Sequence, residues 1–136
     1  MSAPAAALLA KVPLFEDLSD RELAMIAASM KNRTFPAGHE IAKEGQRGVG
    51  FFVIEAGDAR VVVGGQPVGR LGPGDHFGEI ALIADGERTA TIRAESELRC
   101  YGMTSWDFRP LVEDHADIAW KLLQAVARKI RDAERR

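Results

Sequence analysis

Between Phe51 and Met103 the chain is cut every few residues by glycine, and this spacing constrains the fold more than any other feature. Residues 51–55 and 59–63 are β-rich runs separated by Ala56-Gly57-Asp58, a hairpin signature. Gly64-Gly65 suits a tight turn with positive φ at both positions. Residues 68–71 give a short return strand before Gly72-Pro73-Gly74-Asp75, and 89–94 with 98–103 make a final pair. Upstream, Pro36-Ala37-Gly38 and then Gly45, Gly48 and Gly50 favour short strands and turns. Short strands at this spacing indicate an antiparallel sandwich or barrel.

Helical signals flank that region. Ser19-Asp20-Arg21-Glu22 has the form of a capping box, Ser followed by Glu three residues on. It introduces Leu23, Ile26, Ala27 and Met30 at helical spacing, so a helix is predicted to run to about Met30. The alanines of 5–10 join an N-terminal helix. After the strands, Thr104 or Ser105 can cap a helix whose apolar side is Phe108, Leu111 and Val112. Residues 115–133 read as a longer amphipathic helix through Ile118, Leu122, Ala125, Val126, Lys129 and Ile130. The expected fold is α+β: an antiparallel β-barrel of jelly-roll type flanked by N-terminal helices and a C-terminal helix pair. At 136 residues this is one domain, 1–136. Its N-terminal helices are expected over 4–31, the barrel over 32–103 and the last helices over 104–135.

One segment interrupts the strand pattern. Gly78-Glu79-Ile80-Ala81-Leu82, followed by Arg88-Thr89-Ala90, sets a carboxylate, closely spaced backbone amides and an arginine in a short turn-rich stretch. Glycine lets backbone approach a ligand closely. Amides at the start of a helical turn favour an anion, and a guanidinium clamps two phosphate oxygens. A carboxylate accepts from sugar hydroxyls. The segment reads as a cradle for a sugar-phosphate.

Phe77-Gly78-Glu79-Ile80-Ala81-Leu82-Ile83 with Glu87-Arg88-Thr89-Ala90-Thr91-Ile92 closely resembles the phosphate-binding cassette of cyclic nucleotide-binding domains, here over 77–90. Those domains are the cAMP/cGMP sensor modules of regulated kinases, ion channels and bacterial transcription regulators. Pro13-Leu14-Phe15 with Leu18-Ser19, Phe35-Pro36-Ala37-Gly38 with Gly45, Phe52-Val53-Ile54 with Gly57, and Leu71-Gly72-Pro73-Gly74-Asp75 extend the resemblance over roughly 12–136. It implies that Glu79 accepts from the ribose 2′-hydroxyl and that Arg88 neutralises the cyclic phosphate. Gly78, Ile80 and Ala81 would offer backbone contacts around the sugar-phosphate, Thr89 would sit beside the phosphate and near the purine edge, and Ala90 would be a further ligand-binding position. Val61, Leu71 and Lys129 would be base or lid contacts, the lid region falling near Arg128, Lys129 and Asp132. Thr89 resembles the hydroxyl that cGMP-responsive kinases present to guanine, but bacterial cAMP binders also place a hydroxyl there. The expected ligand is cAMP or cGMP, with a slight lean to cAMP. One departure from the family is Glu87, where proline is frequent, which sets an anion beside the clamp.

Other chemistries are poorly supported. The net charge of −2 argues against nucleic-acid binding. The basic C-terminal end (Arg128, Lys129, Arg131, Arg135, Arg136) is diluted by Asp132 and Glu134 and reads as a solvated helix face. Cys100 stands alone, so no internal disulfide forms, and it reads as a buried inert thiol. His39, His76 and His115 are scattered and show no His-x-His metal pattern, so no metal site and no cupin-like enzyme is expected. His76 reads as a turn-surface histidine rather than a lining one. No catalytic residue and no cofactor beyond the nucleotide ligand stands out. No run approaches the ~18 apolar residues of a membrane span, and 1–10 lack the basic start of a signal peptide, so a cytoplasmic chain is expected. Trp120 reads as core or dimer interface. The apolar stripe to Ile130 permits a homodimer through the last helix, or packing of that helix on its own barrel.

The resulting expectation is a non-enzymatic cyclic nucleotide sensor module that signals through movement of its C-terminal helix. With no catalytic or DNA-binding domain of its own in this chain, it would act on a separate effector protein or belong to a longer polypeptide. The alternative is a degenerate domain of this kind, serving as a protein-interaction module.

Overall fold

The computed structural model describes residues 3–135. Met1, Ser2 and Arg136, which the expected domain 1–136 includes, lie outside the described residues. The chain opens with helix α1 (Ala3–Leu9), a 3₁₀ turn (Pro13–Phe15) and helix α2 (Asp20–Ala28). Eight strands follow: β1 (Lys31–Phe35), β2 (Glu40–Ala42), β3 (Gly50–Ala56), β4 (Ala59–Val63), β5 (Gln66–Leu71), β6 (His76–Phe77), β7 (Thr91–Ala94) and β8 (Leu98–Thr104). A second 3₁₀ turn (Glu79–Leu82) stands between β6 and β7, and helices α3 (Ser105–Asp114) and α4 (Ala116–Glu134) close the chain.

Local chemistry explains the boundaries. At the start of α2 the Ser19 hydroxyl accepts from the Glu22 N–H at 3.2 Å, and Glu22 Oε1 accepts from the Ser19 N–H at 2.8 Å. Both halves of the capping box are present, worth about 1 kcal/mol. The helix ends at Ala28 rather than Met30, because β1 begins at Lys31 and needs extended backbone. Gly64 and Gly65 both have positive φ, 59° and 79°, as a two-residue hairpin between β4 and β5 requires. Thr104 occupies the N-cap position of α3, but its hydroxyl bonds the Asp107 carboxylate at 3.1 Å rather than a backbone amide.

The strands form two four-stranded antiparallel sheets, ordered β1-β8-β3-β6 and β2-β7-β4-β5. The expected closed barrel does not occur, because no strand pairing joins one sheet to the other among the described residues. The edge strands explain why. β6 has two residues and β2 three, too short to bridge two sheets, and edge strand β5 carries Pro67, which has no N–H to donate. Between the sheets lies a core of Phe35, Phe52, Ile54, Phe77, Ile92 and Leu98, with smaller residues around them. The other face of the first sheet presents Phe51, Val53, Tyr101 and Met103 to the helices. β3 is therefore covered on both faces, which explains its continuous apolar run.

The helical side is completed by Leu9, Leu14, Phe15, Ile26, Phe108, Ile118 and Leu122. Phe15 touches Phe51 edge-on at 5.8 Å and lies 6.1 Å from Phe108. Helix α4 packs on the first 3₁₀ turn rather than over the second sheet. Its Arg128 donates to Glu16 at 2.9 Å and to Asp17, while Lys121 donates to Glu22 at 2.7 Å. Its apolar stripe leaves the core after Val126, and Ile130 is 55% exposed. Trp120 is 63% exposed, so of its two expected places, core or dimer interface, the core is ruled out. No helix among the described residues is long and apolar enough to cross a membrane.

Candidate functional site

The first part of the cassette, residues 77–82, is fastened at both ends by apolar anchors. Phe77, at its start, stacks on Phe52 at 5.3 Å inside the inter-sheet core. Leu82, at the end of the second 3₁₀ turn, is buried in the helical-side core. Each such side chain contributes about 1.5–3 kcal/mol by burial, so the turn between them is held by packing. Gly78 makes the corner. Its φ is +88°, and a Cβ there would meet the Gly50 carbonyl oxygen at 2.3 Å and Arg88 Nη1 at 2.7 Å. Only glycine lets the cassette lie this close to β3.

A cavity of about 330 Å³ opens over this corner. Residues 78–81 and 88–90, which include every cassette position singled out in the sequence (Gly78, Glu79, Ile80, Ala81, Arg88, Thr89 and Ala90), line it. The amides of Glu79, Ile80, Thr89 and Ala90 have no backbone acceptor among the described residues. That of Ala81 differs: it donates to the Gly78 carbonyl at 3.1 Å, so its own turn already uses it. Ala81 therefore brings wall surface to the cavity rather than a spare amide.

Arg88 is held from three sides. Its N–H donates to Gln46 at 2.8 Å, its carbonyl accepts from Gly45 at 2.9 Å, and its guanidinium donates to the Gly50 carbonyl at 2.6 Å. The side chain passes so close to Gly48 that a Cβ there would lie 2.0 Å from Nε. Burial is the main influence on the guanidinium and lowers its pKa, while the nearby Glu79 charge acts in the opposite sense. A half-desolvated cation facing a cavity, with one neutral acceptor, is equipped to bind an anion. The Glu79 carboxylate receives no hydrogen bond from the described residues, and the His76 imidazole lies beside it, Nε2 3.7 Å from Oε2. It is available to accept from a hydroxyl.

The rim is acidic. Asp85 and Glu87 line the cavity beside Glu79. Arg47, across from them, offsets part of this charge through an ion pair with Asp85, and its backbone bridges that of Glu87. Sequence reasoning missed Ala42 and Gly48 as lining residues, and within the cassette it singled out none of Ala84, Asp85 and Gly86. Gly48 had a signal, since it belongs to the Gly45–Gly50 cluster, but its spacing speaks only of turns.

The expected base and lid contacts stand apart from the cavity. Val61 on β4 and Leu71 on β5 are partly buried against the inter-sheet core, and neither lines the cavity. Lys129 is exposed on α4 and does not reach it either. Among the described residues no group of three or more His, Cys, Asp or Glu could hold a metal ion.

Comparison with known proteins agrees with this geometry. The family model described as the cyclic nucleotide-binding domain matches residues 32–115. The chain is 41% identical to a cAMP-dependent protein kinase regulatory subunit of Emericella nidulans, over 68% of this chain and 23% of that protein. It is 37% identical to a cyclic nucleotide-gated potassium channel of Rhizobium etli, over 82% of this chain and 31% of that protein. It thus spans under a third of the length of these relatives. The N-terminal domain of a transcriptional regulator from Streptomyces coelicolor superposes with a TM-score of 0.86 at 30% identity, covering 93% of this chain and 94% of that one. With its cassette, its two antiparallel sheets and its flanking helices, the chain belongs to the cyclic nucleotide-binding domain family.

Proposed function

We propose that this chain is a single sensor module, 1–136, that binds cAMP or cGMP in the cavity between Arg88 and Glu79. The observation that carries this reading is the pairing itself: a half-buried guanidinium and a carboxylate without a hydrogen-bond donor face one cavity. Arg88 would take the cyclic phosphate and Glu79 the ribose 2′-hydroxyl, with the amides of 79–80 and 89–90 around them. A slight lean to cAMP rests on the relatives named cAMP-dependent regulatory subunits. The module is non-catalytic and cytoplasmic in this reading. It acts on a separate effector protein or on other parts of a longer polypeptide.

Signalling would run through α4. The second 3₁₀ turn separates the cavity from a larger groove of about 710 Å³ lined by Leu82, Ile83, Trp106, Leu122, Leu123 and Val126 among others. Ala81 and Asp85 line both spaces, so a ligand that shifts the turn also shifts the wall against which α3 and α4 lie. The ligand moves α4 only by its difference in affinity for the two helix positions. Exposed Trp120, Leu123 and Ile130 on α4 suit a homodimer through that helix.

A second reading has its own observation. The apolar groove, with Trp106 64% and Leu123 61% exposed, suits a domain that has lost nucleotide binding and serves as an interaction module. Calorimetric titration of nucleotide-stripped protein with cAMP and with cGMP, repeated on Arg88→Ala, separates the two. Loss of a charge from a desolvated pair costs ~2–5 kcal/mol, about 30-fold or more in affinity. Saturable binding weakened this far supports the sensor. Folded protein that binds neither nucleotide refutes it in favour of the interaction module.

A further inference from the structure

We infer that His76 is a positioning residue for Glu79, and that its protonation tightens the binding of an anionic nucleotide. The inference rests on the function proposed above and adds a proton to it.

His76 does not line the cavity. It stands behind the cavity's wall on β6, with Nε2 3.7 Å from Glu79 Oε2. Both side chains are largely withdrawn from water, 23% and 19% exposed. Among the described residues only Glu79 is close enough to pair with the imidazole. The further titratable groups on this face are Lys11, whose Nζ comes near Gly74, and Tyr101 with its partner Glu55, Tyr101 standing opposite Val53 across β3. β3, against which β6 packs, presents Val53 opposite His76 and the Phe51 ring 6.4 Å away, neither of them titratable. Asp75, the preceding residue, is turned aside, its Oδ2 accepting from the Gly72 N–H at 2.8 Å. The second 3₁₀ turn presents Glu79, and the next charge beyond it is Arg88, which Glu79 influences electrostatically.

An imidazole changes charge between about pH 5 and 8. When neutral, His76 leaves Glu79, Asp85 and Glu87 facing Arg88 across the cavity, an unwelcoming balance for a phosphate. When protonated, it pairs with Glu79 and makes the site one charge less negative. It also draws the carboxylate toward β6 and narrows its range of positions. A carboxylate has about four lone-pair sites, so Glu79 can accept from the imidazolium and from a ribose hydroxyl together. Anion binding therefore favours proton uptake, and proton uptake favours the anion to the same degree.

Two measurements on the full chain decide this. The first needs no ligand: a double-mutant cycle of His76→Gln and Glu79→Gln, read by urea unfolding at pH 6 and pH 8. We expect a coupling of about two- to fivefold in the unfolding equilibrium at pH 6, the range of a partly exposed ion pair, and a weaker one at pH 8. His76→Leu replaces the Gln variant if that does not fold. Equal coupling at both pH values, or none at pH 6, overturns the pairing. The second is calorimetric titration with cAMP across the same range. Wild-type affinity is expected to rise about two- to fivefold on acidification, and His76→Gln to lose that rise while still binding at pH 8. An identical pH profile in both proteins overturns the link to affinity. If neither cAMP nor cGMP binds at any pH, the sensor function and the affinity link fall together, and the cycle still decides the pair.

Discussion

Replacing Gly78 with alanine tests whether the cassette corner is as tightly built as its geometry indicates. The residue sits at φ +88°, where an L side chain costs roughly 1–2 kcal/mol. The new Cβ would lie 2.3 Å from the Gly50 carbonyl oxygen, against ~3.4 Å or more for ordinary contact. Gly50 begins β3, which lies between β8 and β6 and packs on both faces, so the strand cannot yield. The cassette must therefore move by about an ångström, with an overpacking cost of ~1–3 kcal/mol. Summed, Gly78→Ala should lose about 2–5 kcal/mol of stability. A site displaced by an ångström typically loses ~100-fold in function, and a comparable loss of cAMP affinity is expected. Gly86→Ala is the control, because it lines the same cavity but meets nothing within 4 Å and needs no positive φ. It should be neutral or stabilise by ~0.4–1 kcal/mol through the unfolded chain, with affinity changed only a few-fold. Urea unfolding and calorimetric titration of both variants supply the readings. If Gly78→Ala matches Gly86→Ala in stability and affinity, the close approach to Gly50 does not constrain the site, and the reasoning fails.

Leu82→Ala should cost ~2–4 kcal/mol in urea unfolding, as a buried leucine replaced beside a packed core, and should weaken nucleotide binding because the turn loses an anchor. An unchanged affinity would show that Phe77 alone holds the cassette. The Lys121 ammonium, and after it the Ser19 N–H, hold the Glu22 carboxyl below its usual value of 4.5. A depressed folded value contributes stability that is whole above pH 4.5 and lost as the pH falls through the lower folded value. The gap in unfolding free energy between wild type and Lys121→Met, about 1 kcal/mol at pH 7, should accordingly narrow as the pH falls below 4.5, and a gap that stays constant on acidification would contradict the assignment. Burial pushes the Cys100 thiol from 9.0 up to about 12, so a thiolate-selective reagent at pH 8 should label it only in urea. Rapid stoichiometric labelling of the native protein would contradict its placement in the inter-sheet core.

What could be read from the chain and what could not divide by the range of the forces involved. The capping box at Ser19 and Glu22 spans three residues, and its bonds form wherever that tetrapeptide starts a helix. The Gly64-Gly65 hairpin is equally local, since two positive φ angles are a backbone property of the pair. The cassette is compact in sequence, so its residues meet at one cavity once Phe77 and Leu82 are anchored. The split into two sheets is different. It depends on where strand pairing stops, at the two-residue β6 and at the Pro67 edge, and the glycine spacing fits a sandwich and a barrel alike. The closeness of His76 to Glu79 was also hidden. Three residues apart, the two face each other only because Gly78 turns the chain between them, and the histidine's burial comes from β3.

The position of α4 is the hardest to read, and it matters most for the proposed signalling. Periodicity placed Ile118, Leu122 and Ala125 on one side of that helix, and they are buried. It could not say which surface would cover them. That choice is made by the first 3₁₀ turn and α2, through Arg128 with Glu16 and Asp17 and through Lys121 with Glu22, pairs about a hundred residues apart in sequence. These partly exposed pairs are individually worth ~0–1 kcal/mol each, so charge alone holds the helix weakly and its buried stripe does most of the holding. A resemblance that aligns Lys129 with a lid carries no information about this balance, which explains why Lys129 stands in solvent while Arg128, one residue earlier, is engaged with the N-terminal segment. Displacing α4 would expose its short apolar stripe and break ion pairs that are individually weak. The proposed signalling requires that a nucleotide in the cavity favour one position of α4 by at least what these contacts contribute.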